Sequence, residues 1–214
     1  MTNQLTELMT AARRAQSTFE EFSQAQVDAC VRAVGKVIFD NAETLAVDAV
    51  TETLMGNVHD KTLKNQGKSR NVWNYLKNKK SIGVIEDKNE DGIITVAKPV
   101  GVVGAVTPTT SPTMTILCNV MFALKGGNAI IIAPHPRAKN ISVRTVNLIN
   151  DELNKLSAPE NLLQIIREPS MDLTNELMSA VDVLVATGGP AMVKSAYSSG
   201  KPSFGVGAGN VQTI

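Results

Sequence analysis

Three short segments hold the residue types that could do chemistry. Thr107-Pro108-Thr109-Thr110-Ser111-Pro112 crowds four hydroxyl groups into a loop bounded by prolines. Proline fixes its own φ and keeps the preceding residue extended, so the hydroxyls are held ready to bond a ligand or a developing oxyanion. The same string also suits an ordinary helix start, with Ser111 as N-cap and Pro112 at the first helical position. Ala133-Pro134-His135-Pro136-Arg137-Ala138-Lys139 brings an imidazole, a guanidinium and an ammonium together beside rigid prolines. There Arg137 suits a forked phosphate contact and Lys139 a point-charge one. A lone His in such a loop is more often packed or solvent-facing than catalytic. Thr187-Gly188-Gly189-Pro190 offers backbone without Cβ atoms where a helix opens, and the first amides of a helix suit an anion. Its bland reading is a tight turn with Pro190 at the first helical position.

Other patterns fail on context. Gly205-Val206-Gly207-Ala208-Gly209 has the glycines of a dinucleotide fingerprint, but no helix can follow before Ile214. Gly200-Lys201 is no phosphate-binding P-loop, because position 195 is Ser and position 202 is Pro. Cys30 and Cys118 lie in apolar helical stretches, where burial raises a thiol pKa and leaves it inert, so neither reads as a nucleophile. No His, Asp and Glu cluster has metal-ligand spacing. The basic run Lys77–Lys80 reads as a solvated helix end.

The elements that must position these loops follow from periodicity. Gln4–Phe22 and Gln24–Ala49 carry apolar residues at helical spacing, the second including Val47, with Ser23 and Gln26 spaced as a capping box. Met55-Gly56-Asn57 is a helix stop, and a third helix is predicted through Trp73 to Lys77. Ile82–Ile85 and Ile93–Ala97 flank a polar turn ending in Asp91-Gly92, a hairpin signal. Beyond Val100, strands are predicted at Val102–Val106, Ala129–Ala133, Leu162–Ile166 and Val181–Ala186. Helices are predicted between them at Thr113–Leu124, Ile141–Leu156 and Met171–Met178, with one more at Ala191–Tyr197. Short apolar strands alternating with helices predict an α/β fold, a Rossmann-like parallel sheet with helices on both faces. The predicted divisions are a helical segment over 1–80, a hairpin over 81–98 and a ligand-binding domain over 99–214. Such sheets bind ligands where strands run into helices, which places the loops 107–112, 134–140, 167–170 and 187–190 at one site.

Composition narrows the class. The chain has 214 residues, 43% of them hydrophobic and 19% charged, enough to bury a core. A net charge of +1 gives no reason to expect nucleic acid or an anionic membrane as partner. The uncharged stretch Val100–Leu124 is broken by prolines and is a poor membrane span, and the start of the chain lacks the apolar run of a signal peptide. Two cysteines suit a reducing compartment, so a cytoplasmic protein is expected.

Three strings together carry a resemblance. Gly101–Pro108 running into Thr-Thr-Ser-Pro resembles the first cofactor strand and loop of the aldehyde dehydrogenase superfamily. Pro134–Lys139 is similar to its CoA-acylating branch, including the aldehyde dehydrogenase half of bifunctional aldehyde-alcohol dehydrogenases. Ala186–Pro202, continuing into Gly205–Asn210, resembles that branch too, with the succinate-semialdehyde and sulfoacetaldehyde acylating groups nearest. The resemblance implies oxidation of an aldehyde to its acyl-CoA, with NAD or NADP as cofactor and CoA as co-substrate. A cysteine attacks the aldehyde, hydride passes to the nicotinamide, and the resulting thioester is cleaved. It also implies cofactor contacts at Thr107, Pro108, Thr109, His135, Pro136, Arg137, Thr187, Gly188, Gly189, Met192 and Gly207, and a homo-oligomer at full length.

Departures from the pattern matter. Hydrolytic relatives carry a water-activating Glu in the segment matching Phe204–Asn210, where this chain has Val206 and no carboxylate. Without that base, water attack should slow by roughly 10²–10⁴, which favours a thiol acceptor. The oxyanion-stabilising Asn of relatives matches Thr110 or Ser111, so a hydroxyl would donate instead. A ribose-binding Lys is replaced by Ala133, and Arg137 with Lys139 tilts the cofactor slightly towards NADP tolerance. The nucleophilic cysteine is expected some tens of residues beyond the glycine-rich segment, which makes these residues an amino-terminal half, inactive alone. Val211–Ile214 reads as the start of another strand. The alternatives are a non-catalytic nucleotide-binding module and a structural fragment that binds none.

Overall fold

A computed structural model describes residues 2–88 and 92–209. Asp91 of the predicted hairpin turn, Asn210 of the glycine-rich motif and the strand start at Val211–Ile214 lie outside the described residues. Helix α1 (Asn3–Phe19) begins at Thr2, whose hydroxyl accepts from the Leu5 amide, and buries Leu5, Met9, Ala12, Ala15 and Phe19 along one stripe. Helix α2 (Gln24–Asp40) starts with the full Ser23–Gln26 capping box. The single helix expected over Gln24–Ala49 is in fact two, because the chain breaks at Asn41. There φ is −101°, and Asn41 Nδ2 donates to the Val37 carbonyl, closing α2 before α3 (Ala42–Thr53) begins. Val47, counted in the apolar pattern, is exposed, while Leu45, Ala46 and Ala49 are buried. Leu54 in the left-handed region ends α3, and Asn57 caps α4 (Val58–Leu76) by accepting from the Asp60 amide. The basic run beyond α4 is exposed, with Lys79 over the Tyr75 ring.

Strands β1 (Gly83–Lys88) and β2 (Ile93–Ala97) form a separate antiparallel pair. The main sheet follows as β3 (Val102–Thr107), α5 (Pro112–Lys125), β4 (Ala129–Pro134), α6 (Lys139–Lys155), β5 (Leu163–Ile165), α7 (Met171–Ala180), β6 (Val183–Thr187), α8 (Pro190–Tyr197) and β7 (Ser203–Val206). Its strand order is β5-β4-β3-β6-β7, all parallel. Every residue of β3 and β4 is buried, as a sheet covered on both faces requires. Right-handed crossovers place α5 and α6 on one face and α7 and α8 on the other, with α1 packed against β3, β4 and α7. Helices α2, α3 and α4 then stack on α5 and α6. Strand order reverses between β3 and β6, so the loops leaving these two strands diverge and leave a crevice.

β7 was not anticipated. Its sequence, Ser-Phe-Gly-Val, is short, half exposed and glycine-containing, so it carries neither an apolar run nor a clean alternation. Gly205 is required there by close approach: a Cβ would press on Val193 Cγ1 and the Tyr197 ring, both of α8.

Candidate functional site

The turns after β3, β4 and β6 meet at that crevice. One cavity of about 850 Å³ is lined by Thr107, Pro108, Thr109 and Thr110 from the first, His135 and Pro136 from the second, and Thr187, Gly188 and Gly189 from the third. Met192 on α8 and Gly207 beyond β7 also face it, as do Met171 and Thr174 of α7. Of the expected loop 167–170, Pro169 and Ser170 line the cavity next to Met171, and Thr174, one turn into α7, is the residue that strand-end reasoning does not announce.

Two groups in the cavity wall lack partners. Thr107 and Thr109 are 2% and 7% exposed, and the hydroxyl of each has no hydrogen-bond partner among the described residues. A buried unpaired hydroxyl costs about 1–3 kcal/mol, so these two are suited to a ligand that supplies the missing partner. Helix α8 opens on the cavity with Gly189 as N-cap and no side-chain cap, leaving its first amides for an anion. The Gly188 amide is not among them, because it donates to the Val206 carbonyl at 3.1 Å and so ties the turn to β7.

His135 serves its own turn. Its Nδ1 accepts from the Arg137 amide at 3.1 Å and caps the short 3₁₀ turn Pro136–Ala138. Burial first, and then the charge of Arg137, hold its pKa below the ordinary 6.5, so the ring that lines the cavity is neutral near pH 7. The Arg137 side chain is exposed and stands outside the cavity wall, next to Pro136. The Lys139 ammonium pairs with Glu168 at 2.6 Å.

Ser111 is also outside the cavity. It occupies the N-cap position of α5 with Pro112 first in the helix, yet it makes no capping bond. Its Oγ instead accepts from Lys64 Nζ of α4 at 2.7 Å, and Lys61 Nζ donates to the Thr110 carbonyl at 3.0 Å. The two lysines reach this turn from some fifty residues upstream, a meeting no local motif foretells. Both thiols are suppressed by burial: Cys30 is pushed up to about 11, and Cys118 is raised despite the charges of Lys68 and Lys64. Among the described residues no group of His, Cys, Asp and Glu could hold a metal ion, and no helix is long and apolar enough to cross a membrane.

Comparison with known proteins gives consistent matches. The model of the aldehyde dehydrogenase family matches residues 2–204. Among curated proteins, the chain is 52% identical to a succinate-semialdehyde dehydrogenase (acetylating) of Clostridium kluyveri, over 97% of this chain and 46% of that protein. It is 48% identical to a sulfoacetaldehyde dehydrogenase of Acholeplasma sp, over 95% of this chain and 43% of that protein. The chain thus spans about half the length of the curated relatives it matches. Among solved structures, an acetylating aldehyde dehydrogenase from Geobacillus thermoglucosidasius superposes with TM-score 0.94 at 39% identity, covering 97% of this chain and 46% of that one. An engineered glycolyl-CoA reductase with bound NADP+ superposes with TM-score 0.83 at 37% identity, over 96% of this chain and 47% of that one. A propionaldehyde dehydrogenase from Rhodopseudomonas palustris with bound propionyl-CoA gives 0.83 at 38%, over 96% and 46%.

Proposed function

The chain belongs to the aldehyde dehydrogenase family, and on that premise we propose that it is the nucleotide-binding half of a CoA-acylating enzyme, which converts an aldehyde, CoA and NAD+ or NADP+ to acyl-CoA and reduced nucleotide. The observation that carries this reading is the cavity at the strand-order reversal, shared by three ligand-ready turns and two threonine hydroxyls unpartnered among the described residues. The residues present fit a nicotinamide nucleotide, which when bound supplies the hydride acceptor.

In this reading the chain's own groups bind and orient. Thr107 and Thr109 supply hydroxyls from β3 and its loop, and Pro108 holds that loop extended. The uncapped start of α8 receives phosphate oxygens, with Thr187, Gly188 and Gly189 as the turn over which they approach and Met192 beneath them. Neutral His135 and Pro136 form the wall for a ribose or adenine, and Arg137, exposed beside them, is assigned in this reading to a nucleotide phosphate at the rim. Thr110 lines the cavity, which supports it as the oxyanion donor. Ser111, engaged by Lys64, keeps a hydroxyl proton to donate on the other side. Phe204–Gly209 holds no carboxylate to activate water, which supports CoA as the acceptor. Both cysteines are poor nucleophiles at neutral pH, so the attacking thiolate is proposed to come from outside these residues.

We also propose a homo-oligomer, supported by the exposed Val84, Ile93, Ile94 and Val96 of the hairpin. A cytoplasmic location is supported by two cysteines with no disulfide between them. The aldehydes named for two relatives, succinate semialdehyde and sulfoacetaldehyde, each end in an anion, and we carry that chemistry over to this chain.

Two measurements test the function. Calorimetry on the chain with NAD+, NADP+ and CoA is expected to show nucleotide binding, and no binding of any of them overturns the assignment. A chimera joins the chain to the carboxyl half of the Clostridium kluyveri relative. With an aldehyde it is expected to reduce NAD(P)+ only when CoA is present and to release acyl-CoA by mass spectrometry. Release of free acid at the same rate without CoA overturns the acylating reading.

A further inference from the structure

The turn Thr107–Pro112 has two sides. Thr107–Thr110 face the nucleotide cavity, whereas Ser111, Pro112 and Thr113 line a separate shallow pocket with Lys61, Lys64 and Asn65 of α4, and the two spaces share no residue. Lys61 and Lys64 are one turn apart on α4 and converge on the loop, at 3.0 Å from the Thr110 carbonyl oxygen and 2.7 Å from Ser111 Oγ. Among the described residues neither has a carboxylate within ion-pairing distance. The neighbouring Asp60 carboxylate instead accepts from Asn57 Nδ2 at 2.6 Å. Asn65, 2% exposed, is committed to the Ala42 carbonyl and so fixes this face of α4.

A second observation is independent of the lysines. Thr113 is 3% exposed, lines the same pocket, and its hydroxyl has no partner among the described residues. The pocket therefore presents two ammonium groups whose acceptors in the loop are uncharged oxygens, beside a buried hydroxyl without a partner among the described residues, and what the set lacks is a negative charge. Burial and then the charge of Lys64 hold the Lys61 pKa below its ordinary value. Two like charges held together in this way are relieved by a bound anion and not by a neutral group.

We propose that Lys61, Lys64, Ser111 and Thr113 form an anion subsite that holds the acidic end of the substrate, a short aldehyde ending in a carboxylate or a sulfonate. The proposal rests on the aldehyde dehydrogenase reading above and deepens it. An anion seated here takes the single Ser111 proton and leaves the other end of a short chain beside Thr110, the remaining oxyanion donor, with the nucleotide on the far side of the same turn. A neutral aldehyde of equal length leaves the ammonium pair uncompensated, so the subsite selects acidic aldehydes by leaving polar groups unpaired in the wrong complex.

The test is amide NMR of the isotope-labelled chain titrated with succinate, with sulfoacetate, with neutral succinamide and, separately, with NAD+. Saturable shifts confined to residues 61–65 and 110–114 are expected with the two anions and not with succinamide. The stronger of the two distinguishes carboxylate from sulfonate. Lys64→Met is expected to weaken anion binding by about tenfold or more, the size of a lost charge-assisted contact. Lys64→Arg should retain binding, and neither variant should alter the NAD+ response at residues 187–192. Absence of saturable shifts with both anions overturns the subsite, as does an equal response to succinamide. A Lys64→Met variant that loses NADP+ affinity in step with the anions overturns it too, by assigning the lysines to a nucleotide phosphate. If the anions bind while NAD+ leaves residues 187–192 unmoved, the subsite stands and the nucleotide reading falls.

Discussion

At the amino end of the sheet a single carboxylate joins three segments. Arg13 of α1 donates to both oxygens of Asp182 at 2.9 and 3.0 Å, and the Val102 amide at the start of β3 donates to Oδ2 at 2.8 Å. Burial works to raise the Asp182 pKa, but the bonds from Arg13 and Val102 outweigh it and hold it below the ordinary 3.8. A carboxylate with a depressed folded pKa contributes stability that is full above its unfolded value and lost as pH falls through the folded one. Asp182→Asn is therefore expected to flatten the loss of stability below about pH 4 and to cost about 1–3 kcal/mol near pH 7, read by urea unfolding at both pH values. Gly101 belongs to the same joint: its φ is +118°, and a Cβ there would run into the Asp182 carboxylate. Gly101→Ala should cost more than about 1–2 kcal/mol in the same assay, from left-handed strain with the clash added. At the other end of the sheet His135 behaves oppositely to a charge sensor. Its depressed pKa means that protonation is resisted, so its contribution is present above pH 6.5 and lost as pH falls through the folded value. An imidazole titration by NMR should give a midpoint below 6.5, and protonation of Nδ1 should remove the acceptor for the Arg137 amide. At this scale the sequence shows which groups exist but not whom they meet. Ser111 looks like a cap from its neighbours, yet its hydroxyl answers to Lys64, because tertiary packing of α4 on α5 supplies a stronger, charged partner.

The elements were largely readable, since β3 to α8 alternate with clean periods and every predicted strand and helix of that stretch is present within a few residues. What escaped has a physical reason in each case. The break at Asn41 costs α2 and α3 no apolar periodicity, so a pattern of buried residues runs straight through it. β7 is held by its parallel pairing with β6 and by Tyr197, whose hydroxyl accepts from the Gly205 amide, and not by its own composition. The start of α6 is a third case. Its N-cap residue is Ala138, which cannot cap, and the orphan amides of Asn140 and Ile141 donate to Glu52 of α3 at 2.9 and 2.6 Å. A carboxylate set at a helix start satisfies two donors and suits the dipole, and here it also anchors the segment that carries His135 and Pro136 into the cavity. Glu52→Ala is expected to lower stability by about 0.5–2 kcal/mol. It should also weaken nucleotide binding several-fold, measured by calorimetry against a control such as Glu43→Ala on the exposed face of α3. Unchanged affinity with reduced stability would show that the anchor serves folding alone.

At the scale of the whole molecule the question is whether the first helices and the sheet are separable. A division near residues 80 and 98 marks a change of secondary structure, but one hydrophobic cluster runs from Leu5 in α1 through α2 and β3 to Ala196 in α8. α1 lies across β3 and β4 on the face that α7 and α8 leave partly open, and polar bonds fasten it at each end. Thr2 donates to Glu176 of α7, Gln164 of β5 donates to the Leu8 carbonyl, and Gln16 donates to the Gly127 carbonyl. On the opposite face the Lys125–Asp28 ion pair, with Lys125 almost wholly buried, locks α5 to α2. Deleting residues 1–22 would uncover this sheet face, leave the Gln164 side-chain amide without its Leu8 partner and leave Asp182 with the Val102 amide but no Arg13. The lost burial of Leu5, Met9 and Phe19 alone, at about 1.5–3 kcal/mol each, comes to a large part of the 5–15 kcal/mol that holds a typical domain folded. The shortened chain is therefore expected to bind a hydrophobic dye, lose cooperative urea unfolding and fail to bind NAD+, although every residue of the nucleotide cavity is retained. A cooperative transition with intact NAD+ affinity would show instead that the sheet stands without its first helix. In that case the site would owe its geometry to the strand-order reversal and to α5–α8 only.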